Sequence, residues 1–402
     1  MIAVLLAQTI AITGGTVYPV SGPRIENGTV LIRDGAIVAV GANVTIPEGA
    51  TRVDATGKWV TPGLFNAATQ LGLTEIGAVQ ATNEGSLSGN DVSASFNVAA
   101  GLNPASQLIP NTRAAGITTA LSAPSGGLIA GQAVVIDLAG ATVAEMLASP
   151  RAAMVLDVNA RSAGGGSRAG VIARLRRVLD DAREYARRRG DFNRAQMQPL
   201  GAPAADLEAL QPVLAGTLPV VALADRQSDI AAALRLASDY RLRLVIGGGA
   251  EAWMVAERLA AARVPVILAP LTNIPNYAQL GARYGNAARL VAAGVHVAFT
   301  VEGDGSHLAR NVKQEAGNAV ANGVPWDEAL RAVTLTPAEM FGLAARYGSL
   351  QPGRVGNVVV WSGDPFELST TVEHVFIRGR EIPLTNRQTE LRDRYRTLPP
   401  RY

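Results

Sequence analysis

Between residues 218 and 300 short apolar runs alternate with amphipathic stretches, and no other feature restricts the fold as much. LPVVAL at 218–223 precedes a helical pattern starting near Ser228, and 242–246 precedes another over 251–262. Runs at 264–268 and 295–300 continue the series. Parallel strands need a crossover of about a dozen residues, usually a helix, so the repeat predicts βαβ units around a parallel sheet. A longer helix is predicted over 168–189, where Val171, Ile172, Leu175, Val178, Leu179, Ala182 and Ala186 recur at helical spacing and the arginines form a solvated opposite face. Thr336-Pro337-Ala338-Glu339 has the pattern of a capping box with proline in the first turn, opening a last helix that carries Met340 and Phe341 into the core.

The two ends have a different texture. From Thr9 to Val60, and again from Arg354 to Ile382, short β-type runs are divided by turn residues, with Asp34-Gly35 a strong hairpin signal. A (β/α)8 barrel takes about 250 residues, so this 402-residue chain has material for a second module. The expected architecture is a TIM-like (β/α)8 barrel over 61–349, a composite β-sandwich from 9–60 and 350–382, and a C-terminal arm over 383–402.

Composition removes several classes of chemistry. There is no cysteine, which excludes disulfides, thiolate nucleophiles and iron–sulfur clusters. The net charge is only +3, so the pI of 9.4 reflects arginine content, and no nucleic-acid partner is expected. No G-x-S-x-G elbow or Walker lysine is present, and the glycine-rich stretches at 125–127 and 164–166 are turns. No apolar run reaches the 18 residues of a membrane span. The run at 2–7 has the character of a short or clipped signal segment, which predicts an exported, periplasmic protein; an ordinary first strand in a cytoplasmic protein is the alternative.

At 59–73 the chain reads WVTPGLFNAATQLGL. ITGGTVYPVSGPRIENGTVLIRDGAIVAVG precedes it, and ARNVKQEAGNAVANGVPWDEALRAVTLTPAEMFGL and GSLQPGRVGNVVVWSGDPFELSTTVEHVFIRGREI follow late in the chain. In these stretches the sequence resembles the amidohydrolase superfamily, near its imidazolonepropionase-like and periplasmic branch. The resemblance implies a barrel joined to a small sandwich, hydrolysis of C–N bonds, and a divalent metal at the C-terminal mouth of the barrel that activates water. It also implies where the ligands belong. The family's first two histidines are an HxH pair on the first strand, where residues i and i+2 face the same way; here they are Ala68 and Gln70. The fifth-strand histidine position is Leu223 and the sixth-strand one is Gly248. Neither lysine can act as a carboxylated metal bridge, because Lys58 precedes the first strand and Lys313 follows the eighth. Either Asp304 or Glu302 matches the eighth-strand aspartate that acts as general base in relatives.

Four lost imidazoles leave too few donors to hold zinc against water, so no metal or other cofactor is expected. Asn66, Gln70, Asp225, Arg226 and Asp304 map to the mouth, as a polar pocket or as groups that satisfy one another. His307 lies in the loop after the eighth strand, His296 at the opposite end of the barrel, and His374 in the sandwich. The leading expectation is a non-catalytic subunit that forms an oligomer, with itself or with an active amidohydrolase relative. The alternative is an active hydrolase of amide or other C–N bonds using Glu302, Asp304 and His307, and a third reading has the mouth binding a sugar or peptide ligand.

Overall fold

Both ends of the chain enter one hydrogen-bonded sheet. In the computed structural model, which describes residues 9–194, 196–301 and 306–397, the order of this sheet is Arg380–Glu381, Val372–Ile377, Val358–Trp361, Trp59–Pro62, Thr9–Val17, Ile25–Arg33 and Ala36–Gly41. Thr51–Asp54 pairs with the first half of Thr9–Val17, and Trp59–Pro62 with its second half. The changeover falls at Gly14-Gly15, where a Cβ on Gly15 would sit 2.9 Å from Val60 Cγ2. With its edge shared in this way, the sheet wraps one apolar cluster that includes Ile10, Ile12, Val30, Ile32, Val53, Val60, Val358 and Phe376. The Asp34-Gly35 hairpin forms as expected, with φ of 50° and 81°. The apolar run at 2–7 lies outside the described residues.

The second sheet is the barrel. Its strands in order are Leu64–Thr69, Ile117–Ser122, Ile129–Asp137, Leu147–Asp157, Val220–Ala224, Leu244–Gly248, Val266–Leu268 and Val297–Phe299. The last four are parallel, each following the βαβ pattern of the sequence. The third strand departs from it, running antiparallel to both neighbours. The connections explain why: residues 123–128 join it to the second strand and 138–146 to the fourth, and neither is long enough for a parallel crossover. Phe65, Leu121, Val135, Val155, Val221, Val245, Ile267 and Ala298 face the axis, and Met340, Phe341 and Tyr347 plug the base.

Two local expectations need correction. The helix begins at Leu335 with Thr334 as its N-cap residue, so Thr336 lies inside it. Glu339 closes no capping box; its carboxylate takes two hydrogen bonds from Arg331, at 2.6 and 2.7 Å. The long helix ends at Arg187 and its last core contact is Tyr185, leaving Ala186 exposed. In the terminal segment the structure has an exposed helix, Arg387–Tyr395, with Asn386 and Thr389 forming a capping box and Gln388 accepting a hydrogen bond from Arg310 at 2.8 Å. Among the described residues no helix is long and apolar enough to cross a membrane.

Candidate functional site

Strand direction sets the functional face: the C-terminal ends of the parallel barrel strands form the mouth, where loops carry the variable side chains. On the first strand Asn66 is fully buried and its amide is engaged at both ends. Its Nδ2 donates to Ala309 O at 3.0 Å, while Oδ1 accepts from Thr300 Oγ1 at 2.9 Å and from Ala68 N at 3.3 Å. Thr300 shares that one hydroxyl proton with Ala68 O. Asn66 and Thr300 therefore stitch the first strand to the last and close the barrel with side chains. Gln70 turns away from the axis, donating to Ser125 Oγ at 2.8 Å and accepting from Thr74 Oγ1 at 3.2 Å. The crevice left between Asn66, Ala68, Thr69, Gln70, Val301 and Ser306 holds about 10 Å³, roughly the room for one water.

Asp225 and Arg226 do not line that crevice; they belong to a second cluster. Asp225 Oδ2 accepts from Asn159 Nδ2 at 2.9 Å, and the Asp225 N–H returns to Asn159 Oδ1 at 3.4 Å. Beside them Asp157 ends the fourth strand, half-buried, its Oδ1 accepting from Asn159 N at 2.7 Å. Burial pushes the Asp157 carboxyl up to about 6. The backbone N–H of Asn159 works against that rise, and the charge of Asp225 adds to it. Arg226 is the N-cap residue of Gln227–Tyr240, its carbonyl accepting from the N–H groups of Asp229 and Ile230. Glu251, 8% exposed, accepts from Gln227 N and Gly281 N, both at 2.9 Å, and so ties the loops after the fifth, sixth and seventh strands.

Sequence reading found Asn66, Gln70 and Asp225 but missed Asp157, Asn159, Thr300 and Glu251. Asp157 had a signal, since it is the one acidic residue that ends the apolar run AAMVLD. His307 is exposed on the 3₁₀ segment Ser306–Asn311, and Glu302 and Asp304 lie outside the described residues. His296 and His374 are where expected. His296 lines a cleft of about 590 Å³ at the base of the barrel, on the face away from the mouth, with Arg243, Arg263 and Glu339. His374 Nδ1 lies 2.6 Å from Glu381 Oε1 in the terminal sheet.

Residues 222–382 match the model of the amidohydrolase family. A solved amidohydrolase from Thermotoga maritima has the same fold, with a TM-score of 0.84 and 27% identity over 93% of this chain and 99% of its own. The chain resembles the amidohydrolase superfamily in sequence and shares its fold. It is 24% identical to Amidohydrolase tasK of Hapsidospora irregularis over 88% of this chain and 39% of that protein. It is 41% identical to the imidazolonepropionase of Mesorhizobium japonicum over 12% of each. The match spans less than two fifths of the length of either curated relative. Among its described residues no three His, Asp or Glu side chains converge as a metal site.

Proposed function

We infer that this protein works without the amidohydrolase family's metal, as a non-catalytic subunit that pairs with a catalytically complete relative. One observation carries the reading. The positions of the family's histidines hold Ala68, Gln70, Leu223 and Gly248, and Ala68 and Leu223 pack against the apolar cluster inside the barrel. A methyl, an isobutyl and a glycine donate nothing to a cation, and the one amide is engaged by Ser125 and Thr74. These residues do not fit the family's metal, so no hydrolytic step is derived through it.

The reading also takes the run at 2–7 as an export signal, so the partner belongs in the same exported compartment. Elemental analysis of protein purified without chelator tests the metal-free mouth. No stoichiometric Zn, Mn or Ni is expected; one tightly held ion per chain, lost on mutating Asp304 or His307, would overturn it. Light scattering and co-purification from the native host test the pairing. An oligomer containing a related chain is expected, and a strict monomer at micromolar concentration that captures no related chain would refute it.

A further inference from the structure

We propose that the fifth barrel strand has taken over the mouth, with Leu223 and Asp225 filling the space above the sixth strand and Gly247 and Gly248 being the partner residues that let them in. The proposal rests on the metal-free reading above and adds how the mouth is closed. Along the fifth strand Val221 and Leu223 both pack with the interior cluster, and Asp225 follows at the same two-residue spacing just past the strand end. Their neighbours across the parallel ladder are the sixth-strand residues: Leu223 pairs with Gly247, and Ala224 with Gly248.

Both glycines are crowded from the fifth strand. A Cβ on Gly247 would lie 2.8 Å from Leu223 Cδ2 and 3.1 Å from Val221 Cγ1. On Gly248 it would overlap Asp225 Oδ1 and lie 3.2 Å from Asp225 Cγ, and the residue has a φ of 85°. Real Cβ atoms do not approach other atoms within 3.0 Å, so one side chain in each pair must be absent or displaced. Displacing Asp225 carries a cost, because its carboxylate holds Asn159, which in turn holds the Asp225 N–H and presents its own N–H to Asp157. The sixth-strand loop is equally fixed: Asn286 Nδ2 donates to Gly249 O at 2.9 Å and Ala250 O at 3.2 Å. Any side chain restored at 248 therefore meets a held carboxylate. Residues 223 with 247, and 225 with 248, are two interdependent pairs, and the closed mouth is a packed state built from this chain's own groups.

Double-mutant cycles test this directly. G248A should lower the melting midpoint by a few degrees, D225A by less, and the double variant should recover at least half of the G248A loss; backbone strain at 248 is common to both arms and cancels. A second cycle, G247A with L223A, uses a position without the positive φ and decides the matter if G248A does not fold. Coupling in the decisive cycle supports the proposal, and additive losses would overturn it. The metal content of the wild-type protein is read separately. Stoichiometric metal with coupled cycles would sink the subunit reading and leave the packing intact, whereas metal-free protein with additive cycles would do the reverse.

Discussion

Two aspartates end neighbouring barrel strands and meet opposite treatment. Asp137 ends the antiparallel third strand at the base of the barrel, fully buried. Arg378 Nε donates to it at 2.6 Å, Tyr347 OH at 2.9 Å, Asn357 Nδ2 at 3.0 Å and Thr119 Oγ1 at 3.1 Å. Asp157 ends the fourth strand at the mouth with backbone N–H groups and a second carboxylate for company. The base is a sealed joint between barrel and terminal sheet, in which a guanidinium and three neutral donors converge on one buried carboxylate. At the mouth the protonated carboxyl is favoured up to about pH 6. Burial alone therefore does not define a site; what matters is whether the buried charge is answered.

The largest expected effect breaks the base. Arg378→Ala leaves the Asp137 carboxylate buried without its cation, and urea denaturation should show a loss of about 3 kcal/mol. A loss under about 1 kcal/mol would mean that Tyr347, Asn357 and Thr119 suffice. The mouth should respond with the opposite sign. An Asp157 carboxyl raised from its ordinary 3.8 to about 6 binds its proton more tightly in the folded chain than in the unfolded one. Its contribution therefore falls as pH rises through that window. Asp157→Asn keeps the acceptor for Asn159 N and removes the charge, so it should stabilise by about 1–2 kcal/mol at pH 7.5, with the gain gone below about pH 4. Denaturation at both pH values measures it, and a gain that persists in acid would point to packing instead.

Asn159→Ala removes the bridge between the two mouth carboxylates and should cost about 1 kcal/mol in the same assay; no change would uncouple Asp157 from Asp225. The smallest effect belongs to Ala68→His combined with Gln70→His. Zinc should not raise the melting temperature of that variant, because no donors are supplied by the fifth and sixth strands. A zinc-dependent rise would show that two imidazoles suffice there.

Much of this architecture was legible in the sequence, for identifiable reasons. Apolar period located the parallel half of the barrel, and Asp34-Gly35 located its hairpin because only that chemistry tolerates two positive φ values in succession. The antiparallel third strand was hidden because an apolar run such as AVVID carries no direction; only the short connections on either side reveal it. Thr336 to Glu339 has the letters of a capping box, but Arg331 on the preceding helix claims the glutamate, and that competitor is visible only in three dimensions. At the mouth, the motif spacing found Ala68, Gln70, Leu223 and Gly248. It could not find the Asp157–Asn159–Asp225 cluster, in which Asn159 and Asp225 lie 66 residues apart in sequence.

The terminal sheet also sets a timetable. Trp59–Pro62 pairs with Val358–Trp361, and Trp361 Nε1 reaches Thr61 Oγ1 across 300 residues of chain. At ribosomal speeds of about 5–20 residues per second, the N-terminal hairpins wait roughly 15–60 s for that partner. During that interval the strand ending in Pro62 is an open edge bearing Val60, which is fully buried once the sheet closes, and open apolar edges invite pairing with other chains. Chains truncated before residue 358 are therefore expected to be less soluble than the full chain, as a pelleting assay would read.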